Sequence, residues 1–225
     1  GVNVGTFHSI GARILRMHIN YLHEKYNSDF TIYDVADQKA LLKEVVEQLN
    51  IEEFKELNIN FLRSQLDKFK NASMSVEEVE SKTNSFEDEK IAEVYKRYSE
   101  LLLSNNAVDF NDLIGMPIKL FKHSPALLKK YQQAWKYILV DEFQDTNYLQ
   151  WQIILKILNA INNLSSSNSV TIVGDSNQSI YGFRGSEPKL FDLCRKYTKE
   201  NFSSEDIYLN ESRRSSKEII NFVNG

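Results

Sequence analysis

One cysteine, three prolines and eight glycines are few for 225 residues, and no glycine precedes a lysine. A single thiol, Cys194, excludes an internal disulfide and fits a reducing compartment. It falls on an apolar stripe with Leu190, Leu193 and Tyr197, which favours a buried structural thiol over a nucleophile. The missing Gly-Lys pair excludes a phosphate-cradling Gly-Lys-Ser/Thr loop within these residues. No stretch approaches the ~20 apolar residues of a membrane helix. Gly1-Val2-Asn3-Val4-Gly5 carries neither the basic nor the apolar region of a signal peptide, so a cytoplasmic protein with no membrane partner is expected. His8, His18, His23 and His123 have no cysteine at ligand spacing, which leaves no case for a histidine–cysteine metal site.

A net charge of −4 argues against a protein that grips nucleic acid by charge alone. Residues 71–90 hold six acids against Lys82 and Lys90, so this segment alone accounts for the whole −4 and the rest of the chain is balanced. Binding through local cations and stacking stays open.

Helical periodicity fills the first 135 residues. Ile10, Ile14, Leu15 and Met17 lie on a helix after Thr6-Phe7-His8-Ser9, and Leu41, Leu42, Val45 and Leu49 on one starting near Asp34. The clearest helix runs from about Phe86 to Leu103, with Ser85 as cap and Glu87, Asp88 and Glu89 at its positive end. Asp109 is the expected cap of a further helix. From Tyr137 the pattern alternates: strand 137–141, helix 147–162, strand 169–173, helix 186–199, strand 206–209, helix 215–223. Such alternation predicts a parallel sheet with crossover helices. The chain therefore reads as an α/β domain (1–27 and 106–225) interrupted by an all-helical insertion (28–105), with Val2-Asn3-Val4 as a further strand.

Two strand ends carry the chemistry. Ile138-Leu139-Val140 runs into Asp141-Glu142, and Val170 to Val173 runs into Gly174-Asp175. A carboxylate at the tip of a buried parallel strand can hold Mg²⁺ while its neighbour orients and deprotonates a water; the alternative is two solvated acids before a helix cap. Beyond Asp175, Gln178 offers an amide that can sense a terminal phosphate. Tyr181, Phe183 and Arg184 follow around Gly182, either as stacking platforms with a phosphate contact or as core rings. Arg213-Arg214 offers a transition-state cation or an ordinary surface pair. Thr6 and His8, at a helix start, suit a backbone phosphate, and His8 equally suits a packed interior position.

Together these segments resemble the UvrD/PcrA/Rep family of superfamily-one DNA helicases. Thr6-Phe7-His8-Ser9 resembles its early DNA-contacting motif, and Asp109-Phe110-Asn111-Asp112-Leu113 its Asp-Phe-x-Asp-Leu segment. Val140 to Asn147 is similar to its Walker B motif, Val173 to Gly185 to its third motif and Leu209 to Ser215 to its fourth. The resemblance implies a RecA-like motor domain that uses ATP and Mg²⁺, with 28–105 as its helical accessory subdomain. Asp141 would coordinate Mg²⁺, Glu142 activate the water, Gln178 contact the γ-phosphate and Arg214 act as arginine finger. Tyr181 and Phe183 would stack on single-stranded DNA, with Arg184, Thr6 and His8 near its backbone. Translocation would run 3′ to 5′, at junctions of single and double strand, with a second RecA-like domain as partner.

Three departures qualify the match. Ser176 and Asn177 stand where the family carries acids, Ser212-Arg213 stand where it reads Asn-Tyr, and the Gly-Lys loop is missing. A fragment of a longer helicase, inactive toward ATP by itself, is the expectation. A non-catalytic DNA-binding module, a metal-dependent nuclease using Asp141, Glu142 and Asp175, and a helicase–nuclease of the AddA or RecB kind are the competing readings.

Overall fold

The computed structural model describes residues 2–50, 58–161, 169–175, 178, 189–202 and 204–208. Tyr181, Phe183, Arg184, Arg214 and the expected helix 215–223 lie outside the described residues. Two compact units divide the chain, Gly1–Phe191 and Asp192–Gly225.

In the first unit, helix α1 (Phe7–His18) starts where the Thr6 hydroxyl accepts the Ser9 N–H at 3.2 Å. Strand β1 (Thr31–Tyr33) leads into α2 (Val35–Leu49), whose capping box is built by Asp34 and Asp37. Then come α3 (Ile59–Asn71), the short α4 (Val76–Glu80) and α5 (Phe86–Ser104), the last capped by Ser85 as its sequence predicts. Apolar faces of α2, α3, α4 and α5 close on one cluster that includes Leu42, Val45, Leu62, Val94 and Leu102.

The chain leaves and re-enters this helical segment at one place. The Asn106 Oδ1 accepts the Asn27 N–H at 3.0 Å, and the Asn106 amide donates to Asn27 Oδ1 at 2.8 Å. Beside that clasp, β2 (Ala107–Asp109) pairs in parallel with β1, Ile32 opposite Val108. This small ladder is absent from the sequence-based expectation, because three-residue strands leave no period to read. Asp109 ends β2 instead of starting the next helix, although its Oδ1 still accepts the N–H of Asp112, the first residue of α6 (Asp112–His123), at 3.1 Å.

Helix α6 is central. A Cβ placed on Gly11 would lie 1.8 Å from the Leu113 carbonyl oxygen, so α1 crosses α6 backbone against backbone. Helix α7 (Pro125–Ala134) then leads to β3 (Tyr137–Val140), α8 (Tyr148–Ile161) and β4 (Ser169–Ile172). Strands β3 and β4 pair in parallel, Val140 opposite Ile172, joined by the α8 crossover. Ile138 and Phe7 pack on the Ile114, Ile118, Leu149, Ile153 and Ile157 cluster of α6 and α8.

The apolar run of β3 predicts burial on both faces, yet Tyr137 and Leu139 are 76% and 69% exposed. Helices cover one face of this ladder among the described residues, so side chains alternate between core and surface. Val2 and Val4 form no strand either. They are exposed, and the Val4 carbonyl accepts from the Arg13 guanidinium at 3.1 Å in place of a ladder partner.

Helix α9 (Lys189–Asn201) runs across the unit boundary. In the second unit, residues 204–208 form no strand where 206–209 is expected to. Asp206 is instead drawn back to the helix by Lys199 at 2.5 Å and by the Arg195 guanidinium at 2.7 Å. Cys194 is buried, in line with its place on the apolar stripe.

Candidate functional site

The β3–β4 ladder continues past both strands. Val173 N–H donates to the Val140 carbonyl at 2.8 Å, and Phe143 N–H donates to the Val173 carbonyl at 3.0 Å. These two bonds bring Asp141-Glu142 alongside Gly174-Asp175, with all three carboxylates exposed. Parallel strands deliver side chains to their carboxyl ends in this way, which is where open α/β sheets bind ligands.

Glu142 adopts a left-handed backbone, φ 52°, ψ 41°. For a residue with a Cβ this costs on the order of 1–2 kcal/mol. The surroundings impose it. Asp141 Oδ1 accepts the Glu142 N–H at 3.0 Å, and the next residue, Phe143, is anchored in the core. Its ring meets Trp151 of α8 at 5.7 Å and Phe191 of α9 at 5.8 Å, both edge to face. Asp145 and Thr146 close a 3₁₀ turn, and Asn147 and Gln150 exchange backbone-to-side-chain bonds at the start of α8.

Beneath this turn lies Gln144, 3% exposed. Its Nε2 donates to Glu142 Oε2, and its Oε1 accepts the Asp175 N–H at 3.0 Å. One amide therefore spans the two strand ends. Gln178 turns back onto the same segment, its Nε2 donating to Asp175 Oδ2 at 2.9 Å. Of the residues singled out for phosphate chemistry, Asp141, Glu142 and Gln178 are thus brought together around Asp175, and Arg214 lies outside the described residues.

A second patch gathers at the start of α1. Thr6 is spent on capping, and His8 stacks on Phe110 with centroids 4.1 Å apart and planes 30° apart. Burial lowers the His8 pKa below the ordinary histidine value, which favours a neutral ring. Phe110 is 53% exposed at the tip of a tightly held loop. Asp109 Oδ1 accepts the Asp112 N–H and Asp112 Oδ2 accepts the Asp109 N–H, both at 3.1 Å. Asn111 donates to Asp67 at 2.7 Å.

Behind the loop, the Lys70 ammonium of α3 lies 2.5 Å from Asp109 and 2.8 Å from Asp112, and the Tyr98 hydroxyl donates to Asp109 at 3.1 Å. Burial works against the charge on Lys70. The two carboxylates overcome it and hold its pKa well above the ordinary lysine value. Burial likewise pushes Asp109 up, but the Lys70 charge and hydrogen bond prevail and lower it. Asp112 is raised, by burial and then by the Asp109 charge.

Sequence reasoning named neither Gln144 nor Phe110 as a site residue, nor the Lys70 lock. The two aspartates three apart were the available signal for the loop. Lys70, 39 residues before Asp109, left none.

Parallel strand ends that present Asp141, Glu142 and Asp175 around a buried amide, in a chain of mixed helix and strand, are compatible with a RecA-like α/β domain. Residues 1–199 match the UvrD/REP helicase N-terminal domain, and the chain belongs to that family. ATP-dependent DNA helicase PcrA of Staphylococcus epidermidis is 35% identical over 221 residues, covering 98% of this chain and 29% of that protein. PcrA of Staphylococcus aureus is 34% identical over the same 98% and 29%. The chain therefore spans less than a third of the length of the curated relatives it matches.

Proposed function

We propose that this chain is part of the first RecA-like motor domain of an ATP-dependent DNA helicase that moves 3′ to 5′ on single-stranded DNA. The observation that carries the reading is the convergence of Asp141, Glu142 and Asp175 at two paired strand ends, with Gln178 folded back on them.

The donor set fits a magnesium–nucleotide complex. Asp141 and Asp175 supply hard carboxylate oxygens at the two exposed strand ends. Mg²⁺ characteristically takes one or two protein carboxylates and completes its shell with phosphate oxygens and water. Bound through Asp141, it would neutralise charge on the phosphates.

The chain's own residues do the rest. Glu142 accepts a proton from the attacking water; its left-handed backbone and the Gln144 amide hold the carboxylate at the strand end. Gln178 reports the terminal phosphate to the Asp175 segment, and Arg214 stabilises charge on the transferring group. Tyr181 and Phe183 stack on bases, with Arg184, Thr6 and His8 near the DNA backbone. The exposed Phe110 ring extends the His8 patch and supports stacking there too. A phosphate-cradling loop and a second RecA-like domain would complete the site in the whole protein, and the chain alone would not hydrolyse ATP.

The test is ATP hydrolysis by the whole protein with and without single-stranded DNA, alongside Glu142→Gln. Hydrolysis stimulated by DNA and lowered ~10²–10⁴-fold by the substitution is expected of a general base. Hydrolysis unaffected by the substitution would remove Glu142 from the chemistry. No hydrolysis in the parent would leave a DNA-binding module.

A further inference from the structure

We infer that Gln144 is a positioning residue that sets the carboxylate of Glu142 from the backbone of the neighbouring strand end; the inference rests on the role proposed above for Glu142. Gln144 is nearly sealed from solvent, so its amide must find protein partners. The Asp175 N–H, fixed by the β4 strand end, can only donate and claims Oε1 at 3.0 Å. That choice turns Nε2 toward Glu142 Oε2, to which it donates. The amide cannot be reversed without facing one N–H donor with another. The carboxylate of Glu142 is therefore held by a group whose own orientation is dictated from β4.

Gly174 supplies an independent observation. A Cβ there would lie 2.6 Å from Gln144 Oε1 and 3.2 Å from the Phe143 nitrogen. The strand end thus leaves room for this amide and for no side chain of its own. From Gln178 the bonds run in series: Gln178 Nε2 to Asp175 Oδ2, Asp175 N–H to Gln144 Oε1, Gln144 Nε2 to Glu142 Oε2. The orientation of the Glu142 carboxylate is thus linked through hydrogen bonds to Asp175 and Gln178.

The experiment uses the whole protein and four variants: Gln144→Leu, which removes both bonds, Gln144→Glu, which keeps the acceptor for Asp175 and removes the donor to Glu142, Glu142→Gln, and Gln144→Leu with Glu142→Gln. Loss of a supporting hydrogen bond of this kind is expected to lower DNA-stimulated kcat ~10–100-fold in both Gln144 variants, with KM for ATP unchanged. In the Glu142→Gln background, Gln144→Leu is expected to change single-turnover hydrolysis no further, because residues acting as a unit are not additive.

A thermal melt matching the parent certifies each fold, and if the leucine variant does not fold, Gln144→Glu decides. Wild-type kcat in folded Gln144 variants, with Glu142→Gln inactive, would overturn this inference alone. So would losses that multiply in the double variant, since Gln144 would then act apart from Glu142. Wild-type hydrolysis by Glu142→Gln would instead overturn the proposed function, and this inference with it.

Discussion

Replacing Lys70 with methionine removes a cation that the Asp109–Phe110–Asn111–Asp112 loop folds around. The Lys70, Asp109 and Asp112 side chains are 8%, 4% and 16% exposed, so neither carboxylate can turn to water without opening the loop. Removing one partner of a buried ion pair costs ~3–5 kcal/mol, because the remaining charge is stranded. Two carboxylates share this ammonium, which places the variant at the upper end of that range.

Both carboxylates would keep their burial and lose the cation, so their folded pKa values would lie above the unfolded ones. A group of that kind stabilises the fold below its unfolded pKa and loses the contribution as pH rises through the folded value. The penalty is therefore largest at neutral pH and shrinks toward the ordinary aspartate pKa of ~4. Parent and variant can be compared by urea denaturation followed by circular dichroism at pH ~7 and pH ~4.5. Adding Asp109→Asn and Asp112→Asn should recover most of the loss, since neutralising a whole buried network is far cheaper than breaking it. A penalty below ~1 kcal/mol, as for an exposed pair, or one equal at both pH values, would refute the reasoning.

Two further outcomes follow from packing. Gly11→Ala would set a Cβ 1.8 Å from the Leu113 carbonyl, and parting α1 from α6 should cost ~1–3 kcal/mol or more, beyond the ~1 kcal/mol of helix propensity that alanine adds; a raised melting temperature would contradict it. Burial pushes the Cys194 thiol up to about 12, so an aromatic disulfide reagent at pH ~8 should titrate it only after unfolding; rapid reaction of the native protein would count against its burial.

Legibility in the sequence tracked periodicity and local chemistry. The long helices α2 and α5 and their Asp34 and Ser85 starts could be read because caps and apolar stripes are local signals. The β3–α8–β4 crossover was legible for the same reason, and so was the arrival of Asp141, Glu142 and Asp175 at strand ends. The β1–β2 ladder was not, since three residues carry no period and its pairing joins segments some 76 positions apart. Asp109 looked like a cap because it performs one, yet its backbone belongs to a strand. Residues 2–4 and 206–208 have strand-like composition but spend their polar groups on Arg13, Arg195 and Lys199, partners that composition does not reveal. Gln144 was visible in the motif, while its role depends on a bond to Asp175 that only the folded chain makes.

The contact at Gly11 has a mechanical side. With no side chain between α1 and the Leu113 carbonyl, there is no compressible cushion where the two helices cross. His8 stands one turn before that crossing and Phe110 just ahead of α6, their rings stacked. Lys70 fastens the same loop to α3. The stacked rings, the helix crossing and the Lys70 lock thus tie α1, α6 and α3 together around one loop.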